Sequence, residues 1–164
     1  MPRSQTPNNT QPPGGIHLEP LQAEILEKEA RALGASLPDP ALRAQCEALA
    51  EAATHGSIPD NLARPLEMVL ELLNTTQRVR REHGHDADEA LKDLYRLTPT
   101  GISKSVSARE TNKALKALAG QTIESLTVST SPGGYTLNVL TDRVRLALEV
   151  NRSGASIQSL EVGG

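Results

Sequence analysis

The stretch Val144-Arg145-Leu146-Ala147-Leu148-Glu149-Val150 puts apolar side chains at every second position, with Arg145, Ala147 and Glu149 between them. A period of two belongs to a strand with one buried and one wet face. Tyr135, Leu137 and Val139 repeat the rhythm against Thr136, Asn138 and Leu140, and weaker alternation surrounds Leu126, Val128 and Ile157. The connections Ser131-Pro132-Gly133-Gly134, Thr141-Asp142 and Asn151-Arg152-Ser153-Gly154 are short and made of turn residues. Four strands joined this way predict an antiparallel meander, with the last strand, residues 155–162, at an edge that another chain could extend.

Before Gly120 the period is about 3.6, and five helices are expected. The first covers about 18–33, with Leu18, Leu21, Ile25 and Leu33 as its stripe and Gly34 as its stop. The second opens on Asp39 as N-cap with Pro40 in the first turn, carries Leu42, Cys46, Leu49 and Ala53 on one face, and ends at Gly56. A third runs from 64 or 65 to about 82, where His83-Gly84 ends it. The fourth starts at Asp86, with Glu89 three residues on, and stops at Pro99-Thr100-Gly101. The fifth starts at Ser107, paired with Glu110 in a capping box, and spans 107–119. The expected fold class is α+β: a tail over 1–15, a helical half of about three to four helices over 16–100, then a helix with a four-stranded antiparallel β-meander over 101–164.

Composition narrows the function. The 164 residues include no Phe and no Trp, and Tyr95 and Tyr135 are the only aromatic residues, so the core must be aliphatic and stacking on nucleobases is nearly excluded. A net charge of −3 argues against a uniformly basic coat. The charge is uneven, however: residues 1–75 carry a net −5, residues 76–120 a net +3 and residues 121–164 a net −1. No stretch approaches the roughly 18 apolar residues of a membrane span, and the opening residues lack the apolar core of a secretory signal, so the expectation is a cytoplasmic protein with no membrane partner.

Catalytic signatures are missing. There is no G-x-S-x-G, and Cys46 sits on the buried-looking face of an Ala-rich helix, where a free Cys behaves as a small core hydrophobe. Glu47 and Glu51 are at i, i+4 spacing but on a polar face, as solvated glutamates are. Gly133-Gly134 lies between two strands and lacks the helix that would aim N–H groups at a phosphate. His83, His85, Asp86 and Asp88 are divalent-metal ligand types close in sequence, but Gly84 loosens the segment and Asp86 suits a helix cap, so a solvated interhelical turn is expected and no metal or other cofactor. No small-molecule substrate is evident.

One feature points to an anionic partner. Arg109, Asn112, Lys113 and Lys116 fall at i, i+3, i+4 and i+7 on one face of the fifth helix, while Thr111, Ala114, Leu115 and Leu118 occupy the other. A helix, a second helix of this kind and then a hairpin resemble the element order of winged-helix DNA-binding domains over about 86–142. That resemblance implies duplex DNA as partner, with Arg109, Lys113 and Lys116 on phosphates or guanines and Asn112 at a base edge. A helix followed by a four-stranded meander also looks like the RWD and cystatin-like adapter folds, as architecture alone. The expected function is a non-catalytic protein-protein interaction and assembly module, self-associating as a homodimer. A winged-helix-like DNA-binding protein using the basic helix 107–119 is the alternative.

Overall fold

A computed structural model describes residues 14–163 as an α+β chain in which, among those residues, six α-helices precede a four-stranded antiparallel sheet. The tail expected over 1–15 lies, for residues 1–13, outside the described residues. The chain separates into two compact units, the first ending at Leu94 and the second beginning at Tyr95.

In the first unit, β1 (Ile16–His17) pairs antiparallel with β2 (Ser57–Ile58), a two-residue ladder too short for periodicity to reveal. Helices α1 (Pro20–Ser36) and α2 (Pro40–Thr54) pack side by side. The start of α2 is the expected one: Asp39 Oδ1 accepts the backbone N–H of Ala41 at 2.8 Å, and Pro40 fills a position whose N–H would otherwise be unpaired. Leu26, Leu49, Ala53, Ile58 and Leu66 are fully buried and form an aliphatic core. Cys46 is buried, and that burial pushes its thiol pKa up, away from the reactive thiolate.

The single helix expected over about 64–82 is two. Helix α3 (Ala63–Thr76) stops at Gln77, which takes a left-handed conformation with φ 53°, and α4 (Arg78–His83) follows before α5 (His85–Arg96). The break has a local cause. Thr75 and Thr76 turn their hydroxyls back onto the carbonyls of Glu71 and Leu72, at 2.8 and 2.9 Å, and compete with the ladder at the helix end. Arg81 then donates to the Thr76 carbonyl at 3.1 Å and satisfies an orphan acceptor.

In the second unit, α6 (Pro99–Leu115) is extended by a 3-10 turn over Lys116–Leu118. The expected start at Ser107 is corrected by about two helical turns. Helix α5 ends at Arg96, just before Pro99-Thr100-Gly101 as expected, but that segment also begins the next helix: Pro99 takes the first turn, and the Thr98 hydroxyl accepts the Gly101 N–H at 3.1 Å. Gly101 is buried against the backbone of Tyr95, where a Cβ would lie 1.8 Å from the Tyr95 carbonyl oxygen. Strands β3 (Ile123–Ser131), β4 (Gly134–Thr141), β5 (Val144–Asn151) and β6 (Gly154–Val162) follow in the order β3-β4-β5-β6. The meander is the predicted one, and both β3 and β6 are edges.

Register assembles the apolar face into rows. Leu126, Val139, Leu146 and Leu160 line up across the four strands, and Val128, Leu137, Leu148 and Ile157 form the next row. Val139, Val144, Leu146 and Leu148 are buried there, with Leu115 and Leu118 from the helix side packed against them. The opposite face carries Thr127, Asn138, Ser129, Thr136 and Glu149 and is polar.

Candidate functional site

Helix α6 divides as its sequence requires. Thr111 is buried, Leu115 and Leu118 reach the sheet core, and Arg109, Asn112, Lys113 and Lys116 are all exposed. With Ser105 and Ala108, those four line one open concavity on the outer face of the helix. Among the described residues none of the four takes part in an ion pair, so the positive charge of Arg109, Lys113 and Lys116 stays available to an anion.

The inner face of α6 holds the start of one edge strand, β6. The Thr111 hydroxyl donates to the Ala155 carbonyl at 2.9 Å, and Ser107 donates to the same oxygen. Gly154, at φ 127°, lets the helix come close: a Cβ there would meet the Ser107 side chain at 3.3 Å. Farther along β6 the register slips opposite Ala147 and Leu148, and Glu161 faces Arg145 with 3.9 Å between charged atoms. Helix cover, a bulge and a charge are the devices that blunt an edge strand.

Strand β3 has none of these over most of its length. Its register shift falls at its start, between Ile123 and Ser125, and from Ser125 to Ser131 the ladder to β4 is unbroken. Glu124 is its one charged residue. Every residue from Ile123 to Thr130 is exposed. Exposure along the apolar rows decides where the helix fails to reach: Ile157 and Leu160 on β6 are 39% and 42% exposed, whereas Leu126 and Val128 on β3 are 59% and 66%. A helix about 10 Å across cannot roof strands whose outer members stand about 14 Å apart. Tyr135, 58% exposed, continues the patch beside Thr130 on the same face.

Among the described residues the first unit contains two clusters of metal-ligand type, and each already encloses a side-chain cation. Glu29, 2% exposed, accepts from Arg78 Nε at 2.7 Å and lies 2.9 Å from His83 Nε2, while Arg78 also reaches Glu82 at 3.3 Å. In the other cluster, Lys92 Nζ stands 2.8 Å from both Asp88 Oδ2 and Glu89 Oε1, beside His85. His83 and His85, separated by Gly84 alone, thus fall in separate clusters and do not converge on one site. A groove between α1 and α3 ends at Arg78 and Arg81, but Glu29 and the Thr76 carbonyl occupy those guanidinium groups.

Sequence reading placed the basic face of α6 but passed over the β3 edge. Its signal was present in Ser125-Leu126-Thr127-Val128-Ser129-Thr130-Ser131, a run of Leu, β-branched residues and Ser with no charge and no Pro. Among the described residues no helix is long and apolar enough to cross a membrane. No protein-family model matches the chain, and neither a curated protein nor a solved structure matches it.

Proposed function

We propose that this chain is a non-catalytic interaction and assembly module that self-associates through the sheet of its C-terminal unit. One observation carries the reading: the apolar rows run the full width of the sheet, while α6 buries only their middle, leaving Leu126, Val128 and Tyr135 in the solvent beside an open edge. Contiguous exposed apolar surface of this kind is expensive to leave in water and marks an interaction site. A cytoplasmic setting suits a single cysteine that is buried and unpaired. Sedimentation at several concentrations tests the reading. A concentration-dependent dimer supports it, and a monomer throughout refutes it.

A second reading has its own support. The exposed Arg109, Asn112, Lys113 and Lys116, free of ion pairs, suit the phosphates and base edges of duplex DNA. Retention on duplex DNA at low salt, lost on changing Arg109 and Lys113 together to Ala, supports this reading. Lack of retention at low salt removes it.

A further inference from the structure

We infer that β3 pairs antiparallel with β3 of a second copy about a two-fold axis at Thr127, joining two four-stranded sheets into one. The inference rests on the self-association reading and specifies its geometry.

The edge is fixed first. The sheet can be lengthened only at β3 or β6, and β6 is bound to α6 at Ala155, bulged near Ile157 and charged at Glu161. On β3 the hairpin closes on the pair Ser131 and Gly134, so hydrogen-bonded and non-hydrogen-bonded pairs to β4 alternate from there. Ser125, Thr127, Ser129 and Ser131 direct their backbone groups to β4. Leu126, Val128 and Thr130 direct theirs outward, unpaired.

Side chains then choose the register. A two-fold at Thr127 sets Leu126 opposite Val128 of the second copy and Val128 opposite its Leu126, so the exposed apolar side chains meet each other. Threonine meets threonine on the polar face, a favourable cross-strand pair. Glu124, the only charge on the strand, comes opposite Thr130 and away from its own copy. A two-fold at Leu126 would set Glu124 against Val128. One at Val128 would set Leu126 against Thr130 and bring Pro132, which has no N–H, into the ladder. Only the Thr127 axis makes the strand self-complementary, as a two-fold interface requires. A single added strand pair is a small interface, so the dimer forms in a concentration-dependent way.

The test uses the full chain with Cys46→Ala, which leaves no other thiol. Across a non-hydrogen-bonded pair the Cα atoms of residue 127 stand about 4.5 Å apart, within disulfide reach. Thr127→Cys is expected to give a covalent dimer under oxidised glutathione, whereas Ser156→Cys, on the exposed polar face of β6, stays monomeric. Val128→Lys is expected to raise the dimer dissociation constant at least tenfold, with the melting temperature unchanged at protein concentrations low enough for the wild type to be monomeric. Cross-linking at Thr127→Cys no faster than at Ser156→Cys, in a protein that sediments as a dimer, overturns the β3 pairing and leaves the assembly reading standing. A wild-type chain that is monomeric at every concentration overturns both.

Discussion

The hydroxyl of Thr111, buried in the middle of α6, donates to the carbonyl of Ala155 at 2.9 Å, so a helix side chain holds a carbonyl of an edge strand. Thr111→Val keeps the shape and removes the donor. Because Ser107 still serves the same carbonyl, the expected loss is about 1 kcal/mol, the worth of one hydrogen bond. Hydrogen exchange at the start of β6 is expected to accelerate while the β4 and β5 amides keep their protection. Uniform acceleration across the sheet would show that the bond is not local to the edge.

Leu146 and Leu126 stand in one row across the sheet but are 0% and 59% exposed. Leu146→Ala opens a cavity in the core, at a cost of about 2–5 kcal/mol. Leu126→Ala is expected to change the unfolding free energy of the monomer by less than about 1 kcal/mol. Chemical denaturation of the two variants at low protein concentration gives the comparison, and equal losses would contradict the uncovered β3 side of the sheet.

Gly101 has no room for a methyl group. A Cβ there would fall 1.8 Å from the Tyr95 carbonyl oxygen, a backbone atom that cannot rotate away. Gly101→Ala in an exposed helix would stabilise by about 1 kcal/mol. Here the sign is reversed, and a lowered melting temperature with frayed amides over the first turn of α6 is expected. A raised melting temperature would place the start of α6 elsewhere.

Lys92, Asp88 and Glu89 give a defined pH response. Hydrogen bonds, first to Asp88 and then to Glu89, hold the Lys92 ammonium above its ordinary pKa, and the bond from Lys92 holds Glu89 below the usual carboxylate range. The Glu89 contribution is therefore present above about pH 4.3 and lost as pH falls through its lowered value. That of Lys92 is complete below about pH 10.4 and lost as pH rises through its raised value. The melting-temperature gap between wild type and Lys92→Met is expected to be constant from pH 5 to 9 and to narrow in acid. A gap unchanged in acid would mean that Glu89 does not act through Lys92.

The sheet was legible because Val144 to Val150 alternates without interruption and its turns are built of Gly, Pro, Asn and Asp. The face of α6 was legible for the same reason, a clean helical spacing of Arg109, Asn112, Lys113 and Lys116. Helix ends were read less well where one residue type serves two purposes. Pro99 both ends and begins helices, and only the Thr98 hydroxyl on Gly101 N–H decides between them. The bend at Gln77 carries no glycine to announce it. The partners of Glu29 lie 49 and 54 residues away, beyond any local pattern.

The fastening of α6 onto β6 also bears on stoichiometry. A ribbon with two open margins can recruit copies without end and grow into a fibre. With the start of one margin held by the helix and its far end kinked and charged, addition at the other is favoured, and growth tends to stop at a pair. Ser107, Thr111 and Gly154, at the start of β6, would then help to disfavour polymerisation along that edge.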